Sequence, residues 1–185
     1  MRKFNNILEI ITNRRSIRSY DGREIEPEKI EYVLDAFRKA PSAKNLQPWK
    51  IIVVKEKNKK TDLSIACKNQ SFIAQAPLII VACANEEEAY GTMGGYMSSY
   101  PIDIAIALEH LILAATEIGL GTCWIGAFQE NLVKGILGVP ENIRVVALTP
   151  LGYPGPDAES PKRGRKSISE IVCYEKYCDY NPDSL

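Results

Sequence analysis

Histidine is almost absent from this chain, and much familiar chemistry is excluded with it. The single copy, His110, falls among leucines in a helical pattern, so a Ser–His or Cys–His couple, a histidine metal site or an H-E-x-x-H helix lacks its second member. His110 reads instead as a helix residue at a core edge or interface. No G-x-x-x-x-G-K-[ST] run occurs, which excludes a P-loop. Gly119-x-Gly121 follows a helical segment and sets Trp124 where a dinucleotide fingerprint needs its third glycine, so a Rossmann loop is rejected. Neither charge sign is in excess, with Lys+Arg 23 against Asp+Glu 23; a general attraction to nucleic acid or to a membrane surface is not expected. The longest apolar run, Leu78 to Ala84, is far too short to span a bilayer, and Arg2-Lys3 are not followed by an apolar leader core. A cytoplasmic protein without a membrane segment is the expectation.

The five cysteines, Cys67, Cys83, Cys123, Cys173 and Cys178, are odd in number and form no C-x-x-C. That points to free thiols in a reducing compartment, not to a disulfide framework or zinc. Cys173 and Cys178 resemble part of an iron–sulfur spacing, but nothing nearby completes four ligands. No metal site is expected.

What is present is an arginine-rich stretch, Arg14-Arg15-Ser16-Ile17-Arg18-Ser19-Tyr20, directly after the apolar positions Ile7, Leu8, Ile10 and Ile11. No acid lies between Glu9 and Asp21, so these guanidiniums are left for an external anion. A phosphate fits, because the planar fork of Arg matches its oxygens. The plain alternative is a solvated basic face at a helix end, favoured by the dipole.

At 185 residues the chain fits one domain, 1–185, able to bury about 70% of its unfolded surface. Helices are predicted over 5–14, from Glu26-Pro27-Glu28 to a point before Pro41, over 58–76, over 101–118 and over 129–137. Strands are predicted at Lys50–Lys55, Leu78–Ala84 and Ile143–Leu148, the first two read as interior from their β-branched or wholly apolar runs. Between the second helix and the first strand lies the loop Pro41-Ser42-Ala43-Lys44-Asn45-Leu46-Gln47-Pro48-Trp49, whose short polar side chains suit binding; Trp49 reads equally as a core anchor. The helix at 101–118 is apolar on more than one face, apart from Asp103, Glu109, His110 and Glu117, and a partner subunit could cover one side. Gly119-Leu120-Gly121 ends it, and Thr122-Cys123-Trp124-Ile125-Gly126-Ala127-Phe128 allows close backbone approach. Residues 84–100 read as a flap over a pocket or a surface excursion. No nucleophile or acid–base pair is evident, which suggests a borrowed cofactor.

The arginine stretch, the Ala40-to-Trp49 loop, the Gly119-to-Gly126 run and the basic Lys162-to-Lys166 segment occur in the order and spacing of the nitroreductase family of FMN-dependent oxidoreductases, which this chain resembles over nearly its whole length. The resemblance implies an α+β fold, with a central, mostly antiparallel or mixed sheet wrapped by helices, in a domain-swapped homodimer carrying FMN at the subunit interface. Carried over by position, Arg14, Arg15, Ser16 and Arg18 would hold the FMN phosphate, ribityl chain and ring edge, with Arg163 and Arg165 closing from the C-terminal side. Pro41, Ser42, Ala43 and Asn45 would reach the flavin from the other subunit. Trp124, Ile125, Gly126 and Ala127 would bring backbone amides to the ring, and Gln70 is a further candidate. The implied function is NAD(P)H-dependent reduction of a nitroaromatic, quinone or similar small conjugated acceptor by ping-pong hydride transfer, with no catalytic side chain of its own. A family dehalogenase or dehydrogenase, or a flavin-binding storage or sensor protein without turnover, are the alternatives. The 84–100 segment is shorter than the excursion of larger family members, and the resemblance implies that it helps to shape the acceptor pocket.

Overall fold

The computed structural model describes residues 6–156, 158 and 164–178. Its centre is a four-stranded sheet of β1 (Trp49–Val54), β2 (Leu78–Asn85), β3 (Gly121–Thr122) and β4 (Ile143–Gly152), in the order β1-β2-β4-β3 with every pairing antiparallel. The helices are α1 (Ile7–Asn13), α2 (Pro27–Arg38), α3 (Lys57–Ala66), α4 (Phe72–Gln75), α5 (Tyr100–Glu117), α6 (Glu130–Leu137) and α7 (Ile168–Ile171).

The uninterrupted apolar run of β2 is explained by cover on both faces. Ile80, Ala82 and Ala84 point to one core with Val33 and Phe37 of α2 and Ile104, Leu108 and Leu111 of α5. Ile79, Val81 and Cys83 point to the other, with Leu63 of α3, Ile73 of α4 and Val133 of α6. β4 likewise serves both cores, and it carries a bulge: Ala82 pairs with Ala147, and the next residue, Cys83, pairs with Val145, so Val146 is the extra residue. Val146 and Ala147 both pack on the α2–α5 side, while Val145 and Leu148 face the other core.

Three expectations need correction. β1 is not interior but an edge strand, with a burial pattern that is mostly intermediate; a β-branched run signals a pleated surface packed on one side as well as one packed on two. The single helix expected over 58–76 is α3 and α4 separated by a break, where Lys68 and Asn69 take left-handed φ values of 62° and 58°. Cys173 and Cys178 are not free thiols but a disulfide across a sequence separation of 5, whereas Cys67, Cys83 and Cys123 are free and buried. Among the described residues, no helix is long and apolar enough to cross a membrane, and no group of three or more His, Cys, Asp or Glu could hold a metal.

Candidate functional site

The arginine stretch follows directly from the end of α1. Asn6 caps that helix by accepting from the Glu9 N–H at 3.0 Å, and Arg14 ends it, its N–H reaching the Ile10 carbonyl at 2.9 Å before the backbone turns extended. The extended chain then joins the sheet edge. Ser16 forms a parallel bridge with Thr122, and the Ile17 N–H donates to the Thr122 carbonyl at 2.8 Å. Ile17 presses so closely on Gly121 that a Cβ there would sit 2.7 Å from Ile17 Cγ1. Further along, Tyr20 bridges Pro154, its hydroxyl donates to the Ile17 carbonyl at 2.9 Å, and the Gly155 N–H reaches the Ser19 carbonyl at 2.9 Å. Residues 14–20 are thereby laced by backbone bonds, with Ile17 and Tyr20 facing inward and Arg18 outward.

Arg14, Ser16 and Arg18 share one neighbour, the buried Cys123 thiol. Burial pushes that thiol up, and Arg18, a Ser16 hydrogen bond and Arg14 pull it back. Arg14 also faces Glu109 of α5, whose carboxyl is raised chiefly by burial and lowered by Arg14 and His110. Arg15 takes a different course. Its Nη1 folds back onto the Thr12 and Arg14 carbonyls at 2.6 and 2.8 Å, and it lines a separate cavity of about 260 Å³ with Asn13, Glu117, Gly119 and Pro154.

The 124–127 segment is half available. Ile125 is buried, and its N–H is consumed by the Leu148 carbonyl at 2.8 Å, so its amide is turned away from any ligand. Trp124, Gly126 and Ala127 are exposed, and among the described residues neither Gly126 nor Ala127 gives its amide to a backbone acceptor outside the regular elements. The Trp124 indole Nε1 lies 3.5 Å from the point where a Gly126 Cβ would stand. The site beside the arginines is therefore rich in donors, with two guanidiniums, a hydroxyl and open backbone N–H groups, which is what an anion or an electron-rich carbonyl edge requires.

The Pro41–Pro48 loop is built differently. A 3-10 turn spans Ala43–Asn45, and Lys44, Asn45 and Gln47 hold left-handed φ of 51°, 58° and 50°. Such strain in non-glycine residues gathers at functional sites. Local bonds brace it: the Asn45 N–H to the Ser42 carbonyl at 2.9 Å and the Gln47 N–H to Ser42 Oγ at 2.9 Å. Pro41 and Asn45 are exposed, while Ser42 and Ala43 are half-buried. Among the described residues no hydrogen bond or salt bridge joins this loop to Arg14 or Arg18 of the same chain. Trp49, just after it, packs edge-on to Phe37 with centroids 5.6 Å apart, which is the core-anchor reading.

Two other sequence candidates stand apart. The Gln70 carboxamide donates to the Cys67 carbonyl at 2.7 Å, sealing the end of α3. Arg165 is exposed, and its Nη1 reaches the adjacent Gly164 carbonyl at 3.4 Å; Arg163 lies outside the described residues. What sequence reasoning missed is Asp103, 3% exposed, which accepts the Ala43 N–H on Oδ1 at 2.9 Å and the Ser99 hydroxyl on Oδ2 at 2.7 Å. Its signal was present as an acid in the first turn of an otherwise apolar helix.

Comparison with known proteins gives a consistent picture. A family model described as "Putative TM nitroreductase" matches residues 6–183. A protein of Archaeoglobus fulgidus named "Putative NADH dehydrogenase/NAD(P)H nitroreductase" is 38% identical over 156 residues, covering 80% of this chain and 84% of the relative. Among solved structures, a nitroreductase family protein from Clostridium novyi NT is 42% identical with a TM-score of 0.76, over 82% of this chain and 86% of that one. The NADPH:FMN oxidoreductase from Vibrio harveyi, solved in complex with NAD+, is 27% identical with a TM-score of 0.86, over 96% of this chain and 80% of that one.

Proposed function

From the premise that this chain belongs to the nitroreductase family, we propose that it is an oxidoreductase that binds FMN, draws electrons from NAD(P)H and passes them to a nitroaromatic, quinone or similar small conjugated acceptor. The observation that carries this reading is the grouping of Arg14, Ser16 and Arg18 around Cys123, next to the exposed amides of Gly126 and Ala127. Those donors suit the two polar parts of FMN, the phosphate and the ring carbonyl edge, each charge-assisted bond contributing roughly 1.5–3 kcal/mol. FMN, when bound, supplies hydride transfer that no side chain of this protein can perform. The chain's own part is to bind and orient: guanidiniums at the phosphate, backbone N–H groups at the ring, and Trp124 flanking the approach. Arg15 contributes from its backbone-folded position, and Arg163 and Arg165 add to the phosphate site from the C-terminal side. Reductant and acceptor use one place in turn.

In this reading one domain, 1–185, forms a homodimer, and Pro41, Ser42, Ala43 and Asn45 complete the site of the other copy. Several features support the dimer. β1 leaves an edge of the sheet open. Ile7, Leu8 and Ile11 of α1 and Ile102 of α5 are exposed, as are Ile168, Ile171, Tyr174 and Tyr177 of the tail. An apolar surface of that extent on a single chain marks an interface. The cytoplasm, where NAD(P)H is plentiful, is the proposed compartment.

The test is direct. Purified protein is expected to be yellow, dimeric by light scattering, and bleached on anaerobic mixing with NADH or NADPH. Bound flavin that stays oxidised under excess of both would defeat the reductase reading.

A further inference from the structure

Residues 90–99 and the Pro41–Asn45 loop are far apart in sequence, yet one buried carboxylate holds both. Ser99 is 0% exposed and sits at a junction: its Oγ accepts the Tyr90 N–H at 3.1 Å, and its N–H donates to the Tyr90 carbonyl at 2.8 Å. With that oxygen already accepting, the Ser99 hydroxyl proton is directed to Asp103 Oδ2 at 2.7 Å. The other oxygen, Oδ1, takes the Ala43 N–H at 2.9 Å. A second strap runs parallel to this one, with Lys44 Nζ lying 4.5 Å from the centroid of the Tyr90 ring. Beyond the junction the 90–99 segment stays open, with Met93 bridged to Met97 and Tyr96 83% exposed.

We propose that Asp103 is a positioning residue of the flavin site: through Ala43 it fixes the strained loop that touches the flavin, and through Ser99 it registers the 90–99 segment as a wall of the acceptor pocket. This rests on the flavin reading given above. Three consecutive features make the carboxylate suited to the role. It is buried, so its bonds are not exchanged with water. It lies in the first turn of α5, the longest helix among the described residues, so it is referenced to a rigid element and favoured by the helix dipole. Finally, the Ala43 N–H that it holds begins the 3-10 turn in which Lys44 and Asn45 are left-handed, a conformation that relaxes unless neighbours over-determine it.

The two oxygens serve different segments, so their roles separate by mutation. Asp103→Asn can keep a carbonyl oxygen on Ala43 but offers an NH₂ to Ser99, whose hydroxyl proton then has no acceptor. Ser99→Ala removes the oxygen that accepts the Tyr90 N–H, keeping only the backbone bond to the Tyr90 carbonyl, and leaves Ala43 held. Asp103→Ala frees the Ala43 N–H and leaves the Ser99 hydroxyl, which holds Tyr90, without its anchor. With FMN-loaded full-length protein, Asp103→Asn and Ser99→Ala are expected to raise the KM for a quinone acceptor such as menadione about tenfold, with FMN affinity unchanged. Asp103→Ala is expected to weaken FMN affinity by about tenfold as well. Amide hydrogen exchange on the flavin-free protein gives an independent reading: Asp103→Ala accelerates both Ala43 and Tyr90, whereas Ser99→Ala accelerates Tyr90 alone. The proposal is overturned if Asp103→Ala leaves Ala43 exchange, FMN affinity and acceptor KM at wild-type values, or if all three variants lower the melting temperature with KM and affinity unchanged. Wild-type protein that binds no FMN, yet shows the expected exchange pattern, would sink the flavin reading and keep the clamp.

Discussion

The arginine stretch and the Pro41–Pro48 loop are the two halves of the proposed site, and they are fixed by opposite means. Residues 14–21 are stitched by main-chain bonds, Ile17 to Thr122, Ser19 to Gly155 and Asp21 to Tyr153, at the edge of the sheet, so their course depends little on any one side chain. The loop carries three left-handed non-glycine residues and is tied to the core by the carboxylate of Asp103. One half is a strand in all but length, and the other is a strained turn held by a few side-chain and local contacts. The part proposed to grip the cofactor is therefore built for permanence. The part proposed to face another subunit holds its shape by a few local bonds and one buried carboxylate.

The largest effect is expected where the first half meets its ligand. Replacing Arg14 and Arg18 together by Ala removes two charge-assisted contacts, and FMN affinity by fluorescence titration should fall by about a hundred- to ten-thousandfold with the urea midpoint nearly unchanged. Wild-type affinity in that variant would reduce the stretch to a surface patch. Next in size is an attack on the stitching itself. Gly121→Ala places a methyl 2.7 Å from Ile17 Cγ1 and 2.9 Å from its Cβ, atoms too near the backbone to swing aside; a loss of about 1–3 kcal/mol in denaturation is expected.

The loop half is probed by comparing Lys44→Gly with Lys44→Ala, both of which lack the contact to Tyr90. At φ 51° glycine should be the more stable by about 0.5–1 kcal/mol, and equal stabilities would mean that the left-handed turn carries no strain. The smallest signal is a chemical one. Burial pushes the Cys67 and Cys83 thiols up to about 11, and the 14–20 stretch lies over Cys123, which is 2% exposed. Native protein should resist alkylation at neutral pH until a reductant opens the Cys173–Cys178 bond, after which only those two react. Early labelling of Cys123 would mean that the stitched half opens readily and the contrast between the halves is false.

Much of the fold was legible because period and burial agree. The wholly apolar β2 and the many-faced α5 announce their central places, and prolines and glycines bound most elements. The edge position of β1 was not legible, because Ile51, Ile52 and Val53 look the same whether one or both flanks are paired. The Cys173–Cys178 link escaped because spacing and number alone argued for free thiols. Within the proposed site, the arginine stretch stood out from the absence of acids around it. That the Arg15 side chain turns to its own carbonyls, or that Ile125 spends its amide on Leu148, follows from local backbone geometry that residue types do not encode. Asp103 was visible only as an interruption in an apolar pattern, and its partner, Ala43, is 60 residues away.

The bulge in β4 makes the strand unequally tolerant of losing a residue. Val145 and Ala147 oppose Cys83 and Ala82, which are neighbours in the facing strand, so excising Val146 would let the two flanks close up in frame with every remaining side chain on its own core. A deletion elsewhere along the same strand would turn one flank inside out. Shortened variants of this protein should thus be survivable at that one place in the ladder.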